Sequence, residues 1–169
     1  MLRLQRLWNQ ARRGVMYALL LLLFLLLQNV IFSHVALFGV KAMFLPALVV
    51  AVGHFEGGWR GGVFGLAAGV LSDLSGTSPT LLFTLLFPVM GFLMGLLTEF
   101  LINQRFYAYC VAAAGALFLS AFAQMFRLLV AYPEVSGALW GTCILQTLWS
   151  VPFALLAYYA CRALPRRLQ

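Results

Sequence analysis

Long apolar blocks separated by short polar breaks run the length of this chain. The first block, "VMYALLLLLFLLLQNVIFS", covers residues 15–33. Others follow at about 41–53 (reaching back towards 35), 59–74, 80–102, 106–132 and 139–164. Between them lie "HFEGGWR" (54–60), "SGTSP" (75–79), "NQR" (103–105) and "PEVSG" (133–137). About 20 apolar residues in helical conformation cross a bilayer, so the pattern predicts six transmembrane helices. Pro46, Pro88 and Pro152 fall inside the second, fourth and sixth. Pro46 removes a backbone donor and is expected to bend the second helix.

The residues ahead of the first block have a different pattern. Leu4, Leu7, Trp8 and Ala11 share one helical face, and Arg3, Arg6, Gln10 and Arg13 the opposite one. This predicts a short amphipathic helix lying in the headgroup layer. Trp8 would be buried there, with Arg3, Arg6, Arg12 and Arg13 on anionic phosphates. The basic start and leucine run resemble a secretory leader, but no small-residue cleavage site follows, so the block reads as a retained span.

Composition agrees. The chain has 169 residues, 64% of them hydrophobic and 9% charged, where soluble domains carry about 25% charged residues. The reading is an all-α membrane protein with one polytopic domain: a basic interfacial segment (1–14), a six-span bundle (15–164) and a basic tail (165–169). The net charge of +7 does not point to nucleic acid, because the arginines cluster ahead of the first span and after the last. That is the positive-inside signature of two cytoplasmic termini. An even span number keeps them on one side and puts Arg60 and Arg105 in inner turns.

One stripe stands out within the apolar blocks. Gly57, Gly61, Gly65 and Gly69 recur every four residues along the third span, and Asp73 continues the series. Residues four apart stay on nearly one helix face, so the glycines form a groove that admits a neighbouring backbone. Asp73 on the same face points into the bundle, where a carboxylate needs a partner. Arg127, at similar depth on the fifth span, and Lys41, at the start of the second, are the two candidates. Gln28 and Asn29 are expected to make inter-helix hydrogen bonds.

The remaining ionisable residues fall at two levels, an outer set (Lys41, Asp73, Arg127, Glu134) and an inner one (Glu56, Arg60, Glu99, Arg105). None lies at mid-membrane, which argues against an ion-driven transporter. His34 and His54 lie at opposite ends of the second span and read as polar turn residues that cannot share a metal. Cys110, Cys143 and Cys161 are isolated and read as small hydrophobes. No phosphate-binding loop or nucleophile elbow is present. The expectation is a protein with no catalytic residues, cofactor or metal.

The segment "KAMFLPALVVAVGHFEGGWRGGVFGLAAGVLSD" resembles the MreD family of rod-shape-determining membrane proteins. The likeness rests on Lys41, Pro46, Gly61, Gly65, Gly69 and Asp73, with chain length and span number in accord. Ala47 departs from the acidic residue often found after the proline, and a glycine common after the Asp is missing from "SGTSPTLL". The resemblance implies a non-enzymatic scaffold of the bacterial elongation machinery in the cytoplasmic membrane. Its partner would be MreC, with the wall synthases RodA and a class B penicillin-binding protein and actin-like MreB more indirectly engaged. The family is similar in fold to the S-components of energy-coupling-factor transporters, which makes a vitamin-binding S-component the alternative. A lipid-handling enzyme is a third class, for which no catalytic constellation is visible.

Overall fold

The structure is a computed structural model that describes residues 2–31, 43–75, 81–100, 106–131 and 136–166. Six α-helices account for nearly all of them: α1 (Leu2–Leu26), α2 (Leu45–Glu56), α3 (Gly58–Ser75), α4 (Leu82–Phe100), α5 (Phe106–Ala131) and α6 (Ser136–Arg166). Stretches in α1, α4, α5 and α6 are long and apolar enough to cross a membrane. The outer surface carries leucine, valine and phenylalanine, whereas among the described residues the buried polar side chains are His54, Ser120, Gln146 and Ser150. An apolar exterior around a core with polar groups inverts the soluble arrangement. The chain is a multi-pass membrane protein.

Two helices differ from the sequence expectation at their ends. α1 runs unbroken for 25 residues into a π-helical turn, Leu27–Ile31. The separate interfacial helix expected over 1–14 is instead the first turns of α1. No proline interrupts residues 2–26, and a lone Gly14 costs a helix only about 1 kcal/mol. In the second helix Pro46 does not bend the middle; it sits in the first turn of α2. Its missing N–H is harmless there, because first-turn amides have no partner within the helix.

α2 is the centre of the bundle. Every residue from Leu45 to His54 is buried, with α3, α4, α5 and α6 all packed against it. At 12 residues it rises about 18 Å, well short of the roughly 30 Å of bilayer hydrocarbon. Its N-terminal amides therefore lie inside protein and need partners there. Ser150 of α6 accepts from Met43 N at 3.0 Å, and Gln28 of the π turn accepts from Leu45 N at 3.4 Å. Phe24 and Phe153 pack on Phe44 at this end, each 5.5 Å away between ring centres.

α2 and α3 are joined by Gly57 alone, at φ +89°, a left-handed conformation that other residues adopt at a cost. The two helices and α4 then meet backbone to backbone. A Cβ on Gly61 would lie 2.6 Å from both Gly53 Cα of α2 and the Gly91 carbonyl oxygen of α4. One on Gly65 would collide with the carbonyl of Phe87, and one on Gly69 with that of Phe83. α4 answers in kind, since Gly91 abuts the Gly61 carbonyl and Gly95 abuts Gly58. Two antiparallel rows thus interlock, 58, 61, 65 and 69 on α3 with 95, 91, 87 and 83 on α4.

Gly115, on an exposed part of α5, has open space where a Cβ would go, which makes it an internal control. Gly65→Ala and Gly91→Ala should each lower the detergent-unfolding midpoint, overpacking of this kind costing about 1–3 kcal/mol. Gly115→Ala should leave it unchanged or slightly higher. Equal midpoints for all three proteins would show that the α3–α4 contact does not depend on glycine.

Candidate functional site

Asp73 ends the stripe one helical turn beyond Gly69, on the face that α4 covers. Its carboxylate accepts hydrogen bonds from the backbone N–H groups of Thr84 (2.8 Å) and Phe83 (3.3 Å) and from the Thr84 hydroxyl (2.7 Å). These amides belong to the first turn of α4. Asp73 is therefore an N-cap supplied by a neighbouring helix, with its charge at the positive end of the α4 dipole. The partners expected from charge alone were Arg127 or Lys41. The Arg127 side chain and the whole of Lys41 lie outside the described residues, and the partners described for Asp73 are all on α4. The first turn of α4 lies within reach of Asp73, and backbone amides serve a carboxylate as well as a cation does.

At the opposite end of α3 a second polar cluster forms. Glu56, at the C-terminus of α2, accepts from the Tyr17 hydroxyl of α1 at 3.0 Å and pairs with Arg60 of α3 at 2.5 Å. The Glu56 side chain is 8% exposed and that of Arg60 49%, so a buried acid is held by a half-exposed base. Glu99 of α4 lies nearby, and a Cβ on Gly57 would come within 2.6 Å of its carboxylate. Gly57 is favoured here by its backbone angle; the Glu99 side chain is exposed and can swing aside.

This cluster closes one end of a groove of about 650 Å³ between α1 and α3, floored by Val52 and Glu56 of α2. Leu21, Leu22, Val63, Phe64 and Leu71 form its apolar walls. Gly14, Ala18 and Ala67 keep it open, and Arg13, Trp59 and Arg60 stand at its mouth. Arg13 has a buried Nε with no hydrogen-bond partner among the described residues. It was expected on the membrane surface with Arg12 and Trp8, both of which are exposed, but it turns into the groove instead. Arg3 and Arg6 ride on the first turns of α1, and their side chains lie outside the described set.

His54 departs most from its expected place. Rather than a polar turn residue, it is a core residue, 1% exposed. It lies among the rings of Phe55, Tyr109 and Tyr158, with centroids 5.1 to 6.4 Å away. Its Nδ1 is 3.2 Å from the Thr98 hydroxyl, which itself donates to the Met94 carbonyl at 2.9 Å. The hydroxyl proton being committed, Nδ1 is the donor in this pair and Nε2 carries a lone pair. Tyr109 ties the same region together, its hydroxyl lying 2.7 Å from the Ala154 carbonyl of α6 and 3.2 Å from that of Ala47 in α2. The apolar spacing of α2 did signal this burial, because His54 continues a helix that is hydrophobic all round.

Among the described residues no three His, Cys, Asp or Glu side chains converge as a metal site. What the arrangement offers is binding, through an apolar groove whose charges are confined to one end. The Asp73 cap gives a graded test. Asp73→Ala should destabilise the protein by about 1–3 kcal/mol, because desolvated amides are left unpaired, read as a lower unfolding midpoint in detergent. Asp73→Asn keeps one acceptor oxygen and should lose less. Exchanging charges with Arg127 or Lys41 should recover nothing if the amides are the essential partners; full recovery would make the ion pair the essential contact.

No family model matches the chain, and no curated protein and no solved structure matches it either.

Proposed function

We propose that this protein is a non-enzymatic scaffold of the bacterial cell-elongation machinery, of the MreD type, that binds MreC in the cytoplasmic membrane. In this reading all six helices belong to the membrane bundle and both termini are cytoplasmic. The protein supports peptidoglycan synthesis along the lateral wall, with RodA, a class B penicillin-binding protein and MreB engaged through the wider assembly. The observation that carries the reading is the use made of the residues that bear the resemblance. Pro46 begins the central helix, Gly61, Gly65 and Gly69 seat α3 on its neighbours, and Asp73 caps α4. All five build a rigid three-helix centre, as a scaffold requires. The apolar outer faces of the helices leave ample surface for a partner's membrane span.

Affinity purification from the native membrane, with mass spectrometry of both proteins and small molecules, tests the assignment. MreC should copurify and no vitamin should. A stoichiometric vitamin together with an ATPase module would replace this reading with the S-component alternative. Orientation has its own test, in a background without Cys110, Cys143 and Cys161. Ser78→Cys and Ser136→Cys should react with an impermeant thiol reagent in intact cells, and Gln104→Cys should not. The reverse labelling pattern would overturn the cytoplasmic placement of the termini.

A further inference from the structure

We propose that the α1–α3 groove holds one anionic glycerophospholipid, with its phosphate at Arg13 and an acyl chain lying between the two helices. The inference concerns a lipid site and does not depend on which protein partner the scaffold binds.

Charge comes first. At this end of the groove the guanidinium groups of Arg13 and Arg60, with Arg12 adjoining, outnumber the carboxylates of Glu56 on the floor and of Glu99 nearby. Glu56 already accepts from Arg60 and Tyr17. Arg13 is left with a buried Nε that has no described partner, and exposed Arg12 adjoins it. A phosphodiester at the mouth would satisfy that donor and balance the excess positive charge, whereas a zwitterionic headgroup would bring its own cation to the same place. Trp59, 79% exposed beside the mouth, has the amphipathic ring favoured at headgroup depth.

Length then selects a lipid over a protein. The lining runs from Arg13 to Leu22 on α1 and from Trp59 to Leu71 on α3, about 14 and 18 Å of helical rise. That is roughly one leaflet, half of the approximately 30 Å hydrocarbon core. A partner's transmembrane helix would need the full thickness; an acyl chain anchored by a headgroup at the mouth needs half. The walls also fit a slender apolar occupant. Gly14 has open space around it, Ala18 and Ala67 are exposed, and α1 reaches α3 through the Tyr17–Phe64 ring contact, 6.3 Å between centroids. The helices stand apart where small residues face each other, leaving a slot that the bundle does not fill itself.

The test is native mass spectrometry of the full-length protein released from micelles containing equal phosphatidylglycerol and phosphatidylcholine. One phosphatidylglycerol should be retained in about fivefold preference over phosphatidylcholine, the discrimination that one interfacial arginine supplies. Arg13→Gln should abolish the preference, and Ala67→Phe, which fills the slot from an exposed position, should abolish the retained lipid. Both variants should keep the wild-type unfolding midpoint in phosphatidylcholine alone. Equal retention of the two lipids, or a preference that survives both substitutions, would overturn the proposal. So would displacement of the lipid by glycerophosphoglycerol, which would mark a soluble-phosphate site. A photocrosslinker at position 67 that captures a polypeptide and no lipid would show a protein segment in the groove and would equally overturn it.

Discussion

The fold depends on three backbones meeting at Gly53, Gly61 and Gly91. Inside a bilayer, helices gain nothing from hiding apolar surface from one another, because the lipid is as apolar as they are. What remains is close contact, and contact at the level of backbone atoms is possible only where side chains are absent. α3 and α4 take this furthest, with carbonyl oxygens of one helix lying where Cβ atoms of the other would be. The two helices share the most extensive contact in the structure. Because α2 joins them at the same point, one glycine node sets the position of the buried central helix, and α5 and α6 pack around it.

Close packing leaves helix ends to be satisfied, and the solution recurs. The amides of Met43 and Leu45 at the entry to α2 are met by Ser150 and Gln28, and those of Phe83 and Thr84 in the first turn of α4 by Asp73. In each case at least one acceptor comes from a different helix. A soluble protein could leave such amides to water, but a bilayer interior offers none. The caps therefore act as joints: α6 is pinned to the start of α2, and α3 to the start of α4. Glu56 repeats the principle with side chains, drawing Tyr17 of α1 and Arg60 of α3 to the end of α2.

Much of this was legible in the sequence. The apolar blocks predicted α3 (59–74 against Gly58–Ser75) and α5 (106–132 against Phe106–Ala131) to within a residue, because polar turns on both sides bound them sharply. The four-residue glycine interval identified the face of α3 that α4 covers. Pro46 was misplaced because hydropathy is blind to where in an apolar run the helix begins, and a proline is tolerated only near that point. The amide partners of Asp73 are hidden in the sequence, which displays charges but not free amides; these exist only once a helix terminus has been located. The groove was invisible for a related reason. Gly14, Ala18 and Ala67 are unremarkable small residues until two helices separated in sequence are set side by side.

The cap at the start of α2 bears on how the chain is made. α2 and α3, joined through a single glycine, form a hairpin whose first arm is too short to cross the bilayer by itself, so the two arms enter the membrane most readily as a unit. Once there, the Met43 amide lacks its acceptor until Ser150 of α6, 107 residues further along the chain, has been made. The centre of the bundle is therefore laid down with α2 and α3 and completed only when α6 joins it. A ribosome that stalls before α6 leaves a nascent chain whose central helix begins with an unpaired amide where no water can serve it.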